Sequence, residues 1–218
     1  MTAARSIISG ALIVVLCALS VGASAASKKP VSESDGEFDA GKFTCLSYTN
    51  GMAPSSNTRA ATMMAQIWVL GFLNGYYKAS DKLEVSDDPA DIQKLDEAVF
   101  EDCKSNPGAS VRTVAVQGLA SKPYKLPTVI AADLTTAYTC GQHLEAKNSA
   151  AVKADLAELW GFAIVEGIKA VAQPEFQIPV ANKAAVMGAV NRSCGNAANK
   201  DKLYRDMANA VAEKVKMQ

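Results

Sequence analysis

"AQIWVLGFLNGYYKA", residues 65–79, is the stretch whose reading decides the fold. Trp68, Phe72 and Tyr76 recur at every fourth position, with Ile67 and Leu70 beside them. That spacing lines one face of an α-helix. The stretch returns at residues 157–171 as "AELWGFAIVEGIKAV", where Leu159, Trp160, Ala163 and Gly167 share a face with Leu156 just before it. Trp160 matches Trp68 and Gly167 matches Gly75, with seven residues from tryptophan to glycine in both copies.

The match extends outward. "FTCLSY" (43–48) answers "YTCGQH" (138–143), and the cysteine that follows each tryptophan comes 35 residues on in the first copy and 34 in the second. Two copies are too few for a stacked array. They predict two homologous domains, 43–120 and 138–218, joined by a linker at 121–137 that carries two prolines. Its Val129-Ile130 pair is a candidate for docking on a domain surface. No alternating strand pattern competes with the helices. Ile92, Leu95, Val99 and Cys103 form a helical stripe that Asp88-Pro89 starts and Asn106-Pro107 ends. A further helix begins near "GASVRTVAVQGLA", and Leu203, Met207, Val211 and Val215 form one face of the last. The expected fold is all-α, with about four helices in each domain.

The amino terminus predicts export. Arg5 precedes the apolar run "IISGALIVVLCALSVG" (7–22), and "ASA" (23–25) fits a cleavage site. The expected mature chain begins near Ala26 with a polar, mobile tail over 26–42, in the periplasm and without a stable membrane anchor. Cleavage removes Cys17 and leaves Cys45, Cys103, Cys140 and Cys194. An even number in an exported chain predicts disulfides. Four cysteines allow three pairings; the successive intervals of 58 and 54 residues favour one bridge in each repeat, Cys45–Cys103 and Cys140–Cys194. In the chain-entropy picture a loop of that length stabilises a small domain by roughly 4 kcal/mol.

Thr44-Cys45, Trp68, Gly71-Phe72 and Cys103-Lys104-Ser105-Asn106-Pro107 resemble, in order and spacing, the HdeA/HdeB acid-stress chaperones. The second repeat keeps Thr139-Cys140, Trp160, Gly161-Phe162 and Cys194, and replaces the Asn-Pro ending by "CGNAANK". The resemblance implies a small, helical, disulfide-bridged periplasmic protein whose relatives are dimers at neutral pH. In strong acid those relatives dissociate, loosen and bind denaturing proteins. Here it implies that the disulfide staples limit how far each domain opens. The two repeats would pack on each other as an intramolecular pseudo-dimer, and the partners would be unfolded or partly unfolded periplasmic proteins. Trp68, Phe72, Tyr76, Trp160 and Phe162, first of all core residues, become the candidate client contacts.

Other chemistry is weakly represented. The chain has 22 acidic and 22 basic residues, a balance that draws no nucleic acid. No phosphate loop, metal-ligand cluster or nucleophile elbow is present, so neither cofactor nor enzymatic activity is expected. Nine carboxylates (Asp81, Glu84, Asp87, Asp88, Asp91, Asp96, Glu97, Glu101 and Asp102) suggest either an acid sensor or a solvated helix face. The only histidine, His143, is expected at the surface beside a structural cystine. Gly71 and Gly75 permit close helix packing, expected inside one domain. The alternative function is a constitutive interaction module: an inhibitor, an immunity-type protein or a partner of an envelope complex, with no acid activation.

Overall fold

A computed structural model of the chain describes residues 37–215 except 54 and 132; the predicted signal peptide and the first part of the tail lie outside them. Eight α-helices dominate the described residues. The first repeat supplies α1 (Cys45–Gly51), α2 (Arg59–Ala79), α3 (Pro89–Ser105) and α4 (Val111–Val114), the last continuing as a π-helical turn, Ala115–Leu119. The second supplies α5 (Cys140–Ser149), α6 (Ala151–Ala172), α7 (Lys183–Gly195) and α8 (Tyr204–Ala212).

Local chemistry sets the boundaries, and it does so twice. Thr44 caps α1 through the Ser47 N–H, and Thr139 caps α5 through the Gln142 N–H, each satisfying an otherwise orphaned backbone donor. Asp88 caps α3 with Pro89 in its first turn. The start of each repeat is then tied to its last helix by matching backbone bonds. Cys45 N–H donates to Ala109 O (2.8 Å) and Cys140 N–H to Lys202 O (2.9 Å). Val111 N–H donates to Phe43 O (2.9 Å) and Tyr204 N–H to Tyr138 O (2.8 Å). Disulfides Cys45–Cys103 and Cys140–Cys194 close both repeats at equivalent points.

The repeats do not form two separate cores. Buried residues of both belong to one continuous apolar cluster, and the described residues form one compact unit. At its centre α2 lies along α6, with the glycines at the contact. A Cβ on Gly75 would collide with the Ile164 carbonyl, and a Cβ on Gly167 with the Phe72 carbonyl. Phe72 and Ile164 both stand four residues after their tryptophans, so each repeat offers the other the same pair of positions. That reciprocity is the mark of a twofold interface, here between unlike halves of one chain. Gly71 adds to it: its Cβ would come within 2.8 Å of Ala163 Cβ and 3.0 Å of Trp160 Cδ1. The glycine pair therefore packs between the repeats, not within one.

The expected linker is part of the fold. β1 (Val85–Ser86) pairs in parallel with β2 (Leu126–Pro127), and β3 (Val129–Ala131) pairs antiparallel with β4 (Leu134–Thr135). Leu126, Ile130 and Leu134 are buried while Val129 stays exposed. The described end of the tail is also packed: Ala40 is buried, Phe38 lies on Phe43, and Glu37 accepts from Lys183 at 2.8 Å. Short strand pairs, apolar contacts and the Glu37–Lys183 ion pair, rather than a long amphipathic element, hold these segments.

Candidate functional site

Two buried polar centres stand out from the apolar core. The first lies on the α2–α6 seam. Glu166, on α6, is 2 % exposed. Its Oε2 accepts the Trp68 indole N–H at 3.0 Å, and its Oε1 accepts the Ile178 backbone N–H at 3.1 Å. Arg112 sits nearby and donates to the Pro174 and Phe176 carbonyls, fixing the strand of chain that covers Glu166. Gln177 reaches back to Asp39 at 3.3 Å, so the packed end of the tail closes the same spot. Burial pushes the Glu166 carboxyl up to about 7, against the opposing pull of Ile178 N–H, Trp68 N–H and Arg112.

The second centre lies inside the second repeat. His143 is fully buried, which corrects its expected surface position. Its Nε2 meets Asn191 Oδ1 at 2.9 Å, and Asn191 Nδ2 donates to Glu158 Oε1 at 2.8 Å. The amide's orientation is set by the carboxylate, which can only accept; Asn191 therefore presents its oxygen to His143, and Nε2 must be the donor. Lys147 also donates to Glu158 Oε1, at 3.0 Å. The imidazole is 3.7 Å from that oxygen, so it acts on the carboxylate through space more than by a direct hydrogen bond. His143, Asn191 and Lys147 together hold the Glu158 carboxyl down to about 2, outweighing its partial burial. Tyr204 stacks obliquely on His143, ring centres 4.4 Å apart, and Tyr138 packs edge-on to both.

The expected contact residues are core in this state. Trp68, Phe72, Trp160 and Phe162 are buried and Tyr76 is partly so. Trp68 stacks on Phe72 at 5.1 Å, and Lys183 Nζ lies 5.9 Å from the Phe162 ring centre. The acidic segment is a solvated face with local jobs. Asp88 caps α3, Asp91 accepts from Ser86 and pairs with Lys125, and Asp102 pairs with Lys122. Between α7 and α8 runs an open groove of about 600 Å³, floored by Val186, Ala189, Val211 and Val215 and rimmed by Arg192 and Lys214. Among the described residues no three His, Cys, Asp or Glu side chains converge on a metal site, and no helix is long and apolar enough to cross a membrane.

Sequence reasoning missed Glu158, Glu166, Arg112, Asn191 and Tyr204. One signal was present: Glu166 interrupts an otherwise apolar run, "GFAIVEGI". Comparison of the chain with family models, curated proteins and solved structures returned no match. The resemblance to the acid-stress chaperones therefore rests on the quoted residues alone.

Proposed function

We propose that this is an exported, acid-responsive binding protein of chaperone type, which captures denaturing periplasmic proteins when acid loosens its second repeat. The observation that carries this reading is the His143–Asn191–Glu158–Lys147 network, which ties α5, α6 and α7 together through one carboxylate. Glu158 has a folded pKa below the ordinary carboxylate value of 4.5. Its stabilisation is present above that value and is lost as pH falls toward about 2. Glu166 works in the other sense. Its folded pKa is above the ordinary value, so its contribution is greatest below about 4.5 and is lost as pH rises through about 7. Mild acid thus favours the seam between the repeats, and stronger acid weakens the second repeat.

Net charge drives the same opening. Below about pH 3 most of the 22 carboxylates are protonated, while 22 Lys and Arg, one of them in the leader, keep their charge. The mature chain then approaches about +20, and self-repulsion of that size opposes compact packing. The disulfides keep the loosened state from unravelling, as a compact, apolar-exposing form. The buried rings, Trp160 and Phe162 first, supply the client contacts.

An aggregation-suppression assay on the mature protein from pH 7 to pH 2 tests the reading. Protection of acid-denatured clients should appear only on the acid side, together with a shift in tryptophan emission. A native emission spectrum down to pH 2 with no protection would sink it. That outcome would leave the constitutive interaction module, which the apolar groove between α7 and α8 favours.

A further inference from the structure

The reciprocity of the seam stops at one pair of positions. Glu166 stands six residues after Trp160, and the residue six after Trp68 is Asn74. The twofold relation that pairs Gly75 with Ile164 O and Gly167 with Phe72 O also maps the Trp68–Glu166 bond onto Trp160 and Asn74. Placement agrees: the Cδ1 edge of Trp160 rests on Gly71, and Asn74 lies one turn further along α2. Asn74 is 1 % exposed and Trp160 is fully buried. Among the described residues, neither Trp160 Nε1 nor either polar atom of the Asn74 carboxamide has a hydrogen-bond partner. A wholly apolar side chain at 74 would avoid that cost, which is about 1–3 kcal/mol for a buried unsatisfied group. A polar but uncharged group is kept at the one place where the repeat pattern calls for a second carboxylate.

We propose that Asn74 and Glu166 are the residues that specify the pairing of the two unlike repeats, by placing one buried carboxylate on α6 and none on α2. The other pairings open to a nearly self-complementary seam are α6 with α6 of a second copy, and α2 with α2. Pairing α6 with itself buries two Glu166 carboxylates on either side of one axis, each against a Trp160. Like charges so placed cannot both ionise without cost. Pairing α2 with itself leaves two carboxamides and no charge-assisted bond to either tryptophan. The mixed seam has one carboxylate, two N–H donors for it and Arg112 from α4, with Asp39 a like charge acting on Glu166 and Glu175 acting on Arg112. A single buried polar residue fixes partner and register in helix pairs by the same logic.

The test is a double-mutant cycle on the oxidised full-length mature chain: Asn74→Glu, Glu166→Asn and the exchange that carries both. Urea unfolding is followed at pH 7.5 and pH 5.5. Asn74→Glu should be destabilised at pH 7.5 and recover at pH 5.5, where one carboxyl of the pair takes a proton. The exchange again has one carboxylate, so its folded-to-unfolded ratio should exceed the value expected from the two single variants by about tenfold. Additive single effects would overturn the proposal, because they would mean that Glu166 acts only through Arg112 and Ile178 on its own side. If Glu166→Asn alone does not fold, Asn74→Glu decides the matter: a change in stability between the two pH values no larger than that of the parent chain overturns the proposal.

Discussion

The two repeats build the same layer of core from different chemistry. Three residues after the first cysteine stands Tyr48 in one and His143 in the other; two before the tryptophan, Gln66 and Glu158; three before the second cysteine, Phe100 and Asn191. Phe43 and Val111 on one side answer Tyr138 and Tyr204 on the other. Tyr48 is buried beside Gln66, and burial pushes its hydroxyl further above its ordinary range. The carboxylate that acts on it, Asp96, is itself raised by burial, so acid withdraws no stabilisation from that layer. The second repeat places an imidazole and a carboxylate there. The backbone ties, the threonine caps of α1 and α5 and the disulfides are held in common, so these features do not require the difference. On the proposed reading one repeat serves as a scaffold, and the other carries the charge network that acid weakens.

Removing the staples should have the largest effect and should be unequal in acid. Cys45→Ala/Cys103→Ala and Cys140→Ala/Cys194→Ala should each cost roughly 2–5 kcal/mol at neutral pH. At pH 2 the second pair of substitutions should unfold the chain further, since by then its repeat has lost most of the Glu158 contribution. Circular dichroism of both variants at the two pH values checks this, and equal acid sensitivity would erase the distinction between the repeats.

Next come the seam glycines. Gly75→Ala and Gly167→Ala each drive a methyl into a carbonyl of the other repeat, and each should cost about 1–3 kcal/mol of overpacking. Because the contacts are reciprocal, the two losses should match. A thermal midpoint lowered by only one of them would show that the seam is not twofold.

Smaller and more selective is Glu158→Gln. At pH 7 it should cost about 1–2 kcal/mol, through the loss of charge-assisted bonds from Asn191 and Lys147. Its signature is in the pH profile: the decline in stability from pH 4.5 toward 2 should flatten, whereas Gln66→Ala should leave that slope unchanged. Denaturant titrations at four or five pH values separate the two.

The sequence made the repeat legible because tryptophan, glycine and cysteine recur at fixed intervals and helical periodicity is local. Disulfide pairing followed from the same intervals. What escaped depended on distant partners. His143 looks like a surface residue until Asn191, 48 positions away, turns to meet it. Gly71 and Gly75 announce a close approach, yet periodicity does not say to what, and the second copy of the motif supplied the answer. Strands of two or three residues such as β1 to β4 lack the length to show alternation, so the segment joining the repeats read as a linker although Leu126 and Leu134 are core.

The central claim is that acid loosens one repeat before the other while the seam holds. Amide hydrogen exchange on the mature protein, corrected for intrinsic rates and read segment by segment between pH 5 and pH 2, measures this directly. Protection should fall first in α5, α7 and α8 and persist in α1, α3 and the centres of α2 and α6. Simultaneous loss in both repeats, or earlier loss in α1 and α3, would contradict it.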